Sequence, residues 1–164
     1  MDGLLTERKI VMSQYASVSQ SDIPDRFDSS VSLAVASLVG RILLSAIYLI
    51  SGLSKLAAPA AAVGYIASAG LPFAPLGLAI AVVVEILGGA ALIIGYRTRF
   101  VAAVLAVFTV ATALGFHSNL ADQGQFIHFF KNIAMAGGLL QVVAFGAGRF
   151  GLDARPPAAQ GYRN

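Results

Sequence analysis

The chain contains 164 residues, of which 57% are hydrophobic and only 12% are charged. Soluble domains usually carry about 25% charged residues, so this composition argues against a water-soluble globule and, for most of the chain, against disorder. Cysteine is absent, which excludes disulfide bonds and thiol redox chemistry by this chain alone. The net charge of +3 comes from scattered basic residues, a pattern that does not favour nucleic acid as a partner.

Residues 1–30 differ from the rest of the chain because they hold many of the charged residues and a serine-rich stretch. They show little apolar periodicity, and they lack the apolar core and small-residue cleavage site of a signal peptide. We therefore predict a flexible tail over residues 1–30. A second short tail is predicted over residues 154–164, at the end of the chain.

Between these tails the chain is apolar, and four segments have the length that a bilayer-crossing helix needs. The predicted spans cover residues 33–56, 75–96, 98–117 and 129–147. Strict alternation of polar and apolar residues is absent, which argues against a membrane β-barrel. The sequence therefore predicts an all-α fold, an integral membrane four-helix bundle over residues 31–153.

Residues 59–70 (PAAAVGYIASAG) form a separate apolar stretch between the first two spans. Pro59 suits the first turn of a helix, and the Gly70-Leu71-Pro72 sequence ends one. Because the stretch is short for a membrane crossing, we predict a short interfacial or re-entrant helix. If it crossed the membrane, the chain would have five spans and its C-terminus would change sides.

The basic residues mark one side of this four-span arrangement. That side carries both tails and the turn with Arg97 and Arg99, and Arg41 lies close to it, whereas the opposite side has only Lys55 and Lys131. Cytoplasmic loops are enriched in lysine and arginine, so the pattern predicts that both termini are cytoplasmic.

Two opposite charges lie within the predicted spans. Lys55 follows Arg41 by 14 residues and Glu85 precedes Arg97 by 12, which places the two charges about 21 and 18 Å deep at helical rise. A charge within a bilayer costs roughly 2.5–3.5 kcal/mol, so an ion pair between spans 1 and 2 is expected. Such a pair either fixes the packing of the helices or belongs to a proton-handling or anion-binding site.

Helical spacing places the polar and small residues of span 1 on one face, which should turn towards the bundle. These residues are Arg41, Ser45, Tyr48, Gly52 and Lys55. In span 2, Gly88 and Gly89 lie near Glu85, and small residues permit close approach of helices.

Several polar residues gather near the outer ends of spans 3 and 4: His117, His128, Lys131 and Asn132. They suit binding of a polar head group or proton exchange with the outer aqueous phase, or, alternatively, anchoring at the membrane interface. The two histidines alone lack the further ligands of a metal site, and nothing else in the sequence supports haem. We therefore expect no metal and no tightly bound cofactor.

Four stretches of the chain resemble the DoxX family of small membrane proteins: GRILLSAIYLISGLSKL (40–56), VVVEILGGAALIIGYRTR (82–99), HFFKNIAMAGGLL (128–140) and FGAGRFGLD (145–153). The motifs S-G-x-x-K, E-x-x-G-G, G-x-x-T-R and K-N occur in the family's order and spacing, and the resemblance covers residues 38–153. It implies a four-helix bundle in a bacterial cytoplasmic (inner) membrane.

The family is named for a subunit linked to thiosulfate:quinone oxidoreductase, and some members are associated with oxidoreductase complexes that handle thiol or oxidative stress. The resemblance thus implies the membrane subunit of a quinone-linked oxidoreductase system, with quinone as a loosely held partner. Glu85 and Lys55 are then the candidate catalytic residues. The candidate substrate- or quinone-binding residues are Lys131, Asn132, His117, Tyr48 and His128, and the structural or topological ones are Arg41, Arg97, Arg99, Gly88 and Gly89.

Two other functions remain open from the sequence. The first is a carrier for a small acid or anion, although the chain lacks the broken-helix repeats of many transporters. Alternatively, it is a non-catalytic membrane anchor or assembly factor whose tails recruit partners. The candidate partners are the lipid bilayer, soluble or membrane oxidoreductases, and further copies of the chain.

Overall fold

The computed structural model describes residues 29–154, so the predicted tails over 1–30 and 154–164 lie almost entirely outside the described residues. Residues 29–154 form helices and turns, with no strand among them. The five helices are α1 (Ser29–Ala57), α2 (Pro59–Ser68), α3 (Ala74–Ile94), α4 (Thr98–Phe116) and α5 (Gln123–Phe145). The helical bundle lies within the unit of the chain that begins at Leu33.

Four of these helices are long and apolar enough to cross a membrane: α1 from Val31 onward, α3, α4 and α5. Large apolar side chains cover their outer surfaces, as at Leu33, Val107 and Phe145, which are each at least two-thirds exposed. Such a surface is unfavourable in water and suits contact with lipid. The predicted all-α membrane bundle of four spans is confirmed, and residues 59–68 form the short helix expected between the first two spans.

The last span begins earlier in the structure than its sequence suggests. Helix α5 begins at Gln123, whereas the prediction began at residue 129. The Asp122 side chain caps the helix, because its Oδ1 accepts the backbone N–H of Gln125 at 2.8 Å. The predicted span began only after His128, although a helix end at a membrane interface tolerates polar residues.

Glycines allow close contact between the helices. A Cβ atom on Gly89 would lie 3.1 Å from the Leu49 side chain of α1, and one on Gly88 would lie 3.0 Å from Leu105 of α4. The neighbouring glycines of α3 therefore face two different helices. Similarly, a Cβ on Gly52 would lie 2.7 Å from the Ile86 side chain, so α1 and α3 approach closely beside Glu85.

Arg41 of α1 is fully buried inside the bundle and holds three chain segments together. Its Nη1 donates to the carbonyls of Leu92 and Ile93, and its Nη2 donates to the carbonyl of Phe150, each at 2.8 Å. The carbonyls at a helix C-terminus lack partners within the helix, and a cation there is also favoured by the helix dipole. Arg41 therefore caps α3 from within the core, and it is a structural residue more than a surface marker of topology.

The α3–α4 turn is completed by the segment that follows α5. The chain turns at Gly95 and Arg97, both with positive φ, and the Asp153 carboxylate accepts the backbone N–H groups of Arg97 at 2.9 Å and Thr98 at 2.6 Å. A Cβ on Gly95 would lie 2.5 Å from the Gly151 backbone, so only glycine permits this approach. The segment FGAGRFGLD (145–153) therefore stabilises the turn between α3 and α4.

Candidate functional site

The predicted ion pair between spans 1 and 2 is confirmed. Nζ of Lys55 lies 2.9 Å from both carboxylate oxygens of Glu85. Ser51, one helical turn before Lys55, accepts a hydrogen bond from its Nζ at 2.7 Å and donates to Glu85 Oε1 at 3.2 Å. The Glu85 side chain is 6% exposed and that of Lys55 is 26% exposed, so the pair reaches from the core to an accessible surface.

Tyr48, on the same face of α1, is buried against α4. Its hydroxyl forms a hydrogen bond with Oγ1 of Thr109. Since the Thr109 hydroxyl donates its own proton to the Leu105 carbonyl at 2.7 Å, Tyr48 is the donor to Thr109. The polar face predicted on α1 therefore does turn inward, from Arg41 at one end to Lys55 at the other.

A cavity of about 720 Å³ opens beside the ion pair, and all five helices contribute to its walls. Six of the predicted catalytic and binding residues line it: Tyr48, Lys55, Glu85, His117, Lys131 and Asn132. Much of the remaining wall is apolar and includes Phe108, Phe116 and Met135. Ligand sites in proteins are typically concave and apolar with a few placed polar groups, so this cavity is the candidate functional site.

The two histidines lie together at the ends of α4 and α5. Their ring centroids are 5.1 Å apart with an interplanar angle of 27°. Nδ1 of His117 lies 2.7 Å from Oε1 of Gln125, an acceptor, so Nδ1 carries the proton and Nε2 is the acceptor in neutral His117. His128 does not line the cavity, but it contacts two residues that do, His117 and Lys131.

Lys131 is exposed, and its Nζ donates to Nδ1 of His128 at 3.1 Å. This contact assigns the proton of neutral His128 to Nε2. Among residues 29–154, Lys55 and Glu85 form the only ion pair. No carboxylate of these residues lies within salt-bridge distance of Lys131. The cavity therefore contains one neutralised cation and one cation available to a ligand.

Helix α2 closes one wall of the cavity. Its residues Ala61, Ala62, Tyr65 and Ile66 line the cavity, and the Tyr65 ring stacks on Phe116 of α4 with centroids 5.4 Å apart. The sequence predicts this helix but not its role in the cavity wall. Ser51 and Thr109 were also missed, since a single hydroxyl in an apolar helix indicates no partner until the neighbouring helix is placed.

The predicted structural residues lie elsewhere. Gly88 and Gly89 form the contacts between helices described above, while Arg41, Arg97 and Arg99 lie at the opposite end of the bundle from this cavity. At that end the pKa of Asp153 is below its ordinary value, because its carboxylate accepts the Thr98 and Arg97 amides and lies near the Arg97 charge.

Comparison with known proteins gives two kinds of match. The family model DoxX matches residues 36–118, a range that includes Tyr48, Lys55, Glu85 and His117. The inner membrane protein YqjF of Escherichia coli K12 is 35% identical over 119 residues, which is 73% of this chain and 90% of that protein. The inner membrane protein YphA of the same organism is 33% identical over 134 residues, covering 79% and 96%. No solved structure matches the chain.

Proposed function

Since this chain belongs to the DoxX family, we propose that it is the inner-membrane subunit of a quinone-linked oxidoreductase system, with thiosulfate or an oxidative-stress reaction as the source of electrons. Two relatives are named as inner membrane proteins, and the side of the bundle with Arg97 and Arg99 is the more basic one. The positive-inside rule then supports cytoplasmic termini. The proposal is carried by one observation, the cavity beside the Lys55–Glu85 pair.

The residues of the cavity suit a quinone head group. A quinone is a flat apolar ring whose two carbonyl oxygens accept hydrogen bonds. The aromatic side chains Tyr65, Phe108 and Phe116 offer apolar walls, and Lys131 and Asn132 offer N–H donors. The volume of about 720 Å³ lies within the range of roughly 300–1,000 Å³ that is usual for small-molecule sites.

Each ionisable group then has a distinct role. Lys131, which lacks a carboxylate partner among the described residues, would donate to an oxygen of the bound molecule and stabilise negative charge there. Lys55 is held by Glu85 and Ser51, so it would position the Glu85 carboxylate, which would accept or release a proton. His117, with Nε2 as acceptor, would exchange protons with the outer aqueous phase. A quinone supplies two-electron, two-proton chemistry when bound.

The direct test is binding of a short-chain ubiquinone analogue to the purified protein in detergent, together with extraction and identification of any co-purified quinone. Replacing Lys131 by methionine should weaken binding about tenfold, the usual magnitude for a lost hydrogen bond to a charged group. The matched control is Arg149→Met, which removes an exposed cation that does not line the cavity.

Quinone-dependent oxidation of thiosulfate, measured with the protein alone and with its complex, tests the reaction itself. Absence of that activity in both preparations, with no quinone bound to the unmodified protein, would reject the proposal.

The available cation of Lys131 also suits a small anion, which supports a carrier as the second candidate. Uptake of an organic acid into proteoliposomes, driven by a pH gradient and lost in Glu85→Gln, would favour it. In that case, Lys131→Met should abolish uptake, and quinone analogues should bind neither the original protein nor this variant.

A further inference from the structure

A second cavity, of about 770 Å³, lies at the opposite end of the bundle, where α4 begins and α5 ends. Its walls include Arg97, Arg99, Phe100, Phe145, Gly146 and Asp153. None of these residues lines the cavity that contains Lys55 and Glu85. A ligand bound here is therefore independent of the proposed oxidoreductase function.

Two of the lining residues, Arg97 and Arg99, are positively charged and one, Asp153, is negatively charged, so the cavity keeps a net positive charge. The carboxylate of Asp153 accepts the backbone N–H groups of Arg97 and Thr98, and because it lies near the Arg97 charge it offsets that charge in part. The Arg99 side chain has no ion pair or hydrogen bond with the part of the chain that the structure describes, residues 29–154. Both arginines are exposed, so their guanidinium groups are available to an anion.

The backbone shapes one wall of the cavity. Gly146 and Gly148 have φ angles of +78° and +68°, a conformation that favours glycine. A Cβ on Gly146 would lie 3.2 Å from Nε of Arg99, so the missing side chain leaves room for the guanidinium group over the backbone. The cavity is thus a concave surface with a fork-shaped cation at its wall.

Apolar surface adjoins these cations. Phe100 and Phe145 both line the cavity, and they are 67% and 77% exposed. They lie at the ends of α4 and α5, which are membrane-spanning helices, so this surface is at the depth where head groups meet acyl chains. A molecule that fits must carry an anionic group for the arginines and a hydrocarbon chain for the phenylalanines.

We propose that this cavity is a binding site for an anionic phospholipid, with the phosphodiester at Arg99 and Arg97 and an acyl chain along Phe100 and Phe145. Arginine matches a phosphate group because its planar fork can donate two parallel hydrogen bonds. Free phosphate offers the same oxygens but leaves the two phenylalanines without an apolar partner.

The test measures lipids retained by the full-length protein in native mass spectrometry, with phosphatidylglycerol and phosphatidylcholine of identical acyl chains. Phosphatidylglycerol should bind more tightly to the unmodified protein. Arg99→Gln should weaken that binding about fivefold, as expected for one interfacial arginine, whereas Arg99→Lys should keep part of it. Arg149→Gln is the matched control, because Arg149 is an exposed arginine near the same end that does not line the cavity.

A separate measurement distinguishes lipid from free phosphate. Thermal unfolding in detergent should shift upward with phosphatidylglycerol and not with millimolar inorganic phosphate, and Arg99→Gln should remove the shift. Equal retention of the two lipids would overturn the proposal, as would equal losses in Arg99→Gln and Arg149→Gln. An equal shift with inorganic phosphate would also overturn it, because the site would then recognise the anion alone.

Discussion

The two ends of the bundle differ in how they accommodate a positive charge from the same face of α1. Arg41 and Lys55 both point inward from α1, yet Arg41 is fully buried and bonds to three backbone carbonyls. Lys55 instead pairs with a side chain, Glu85, and remains 26% exposed at the wall of a cavity. A buried charge in a membrane bundle is therefore no sign of function by itself. The neighbouring cavity and the kind of partner separate the structural charge from the functional candidate.

The largest expected effect follows from replacing Arg41 by methionine. The substitution leaves the carbonyls of Leu92, Ile93 and Phe150 without their donor, and unpaired buried polar groups are unfavourable. We expect a loss of about 3 kcal/mol in the free energy of unfolding in detergent. The exposed Arg149→Met variant, which removes the same charge from the surface, should unfold like the original protein. A normal unfolding temperature for Arg41→Met would contradict the structural role.

A smaller effect is expected at the other end. Glu85→Gln leaves Lys55 without its carboxylate, and because Lys55 is partly exposed we expect a loss of about 2 kcal/mol, below the usual value for a fully buried pair. The double variant Glu85→Gln with Lys55→Met should regain much of that stability, since no unpaired charge remains. If the double variant is no more stable than Glu85→Gln alone, the pairing does not stabilise the bundle.

The smallest effect concerns acid and the Asp153 cap. The pKa of Asp153 is below its ordinary value of 3.8, so its contribution to stability is complete above that pH and is lost as the pH falls through the lowered pKa. The difference in unfolding temperature between the original protein and Asp153→Asn should be largest above about pH 4 and should shrink in stronger acid. A difference that grows as the pH falls would contradict this sign.

The two ends also differ in how well the sequence predicts them. The Lys55–Glu85 pair was predictable because two opposite charges at similar depth in lipid have few other partners. The partners of Arg41 were not, since backbone carbonyls have no identity in a sequence and become visible only when α3 and the post-α5 segment are placed. The Asp153 cap joins residues 56 positions apart, which no local pattern indicates.

The early start of α5 shows another boundary of sequence reasoning. Hydropathy predicted the apolar middle of the span, but the capping contact of Asp122 with Gln125 sets the start of the helix six residues earlier. Within this extension, Gln125 forms a hydrogen bond with His117, and the His128 ring stacks on the His117 ring. The contact between the two histidines therefore involves a polar stretch of α5 that hydropathy did not assign to the span.

By itself, the amino-acid order determined the four apolar spans, the inward face of α1 and the need for Lys55 and Glu85 to meet, because lipid penalises every unpaired charge and helical periodicity assigns each residue a face. Only the tertiary structure decided which charge became a backbone cap and which stayed accessible, and how α2 closes a cavity around the second. Those outcomes depend on helix contacts at glycines and on backbone groups that are alike at every residue, so they exist only after the helices have packed.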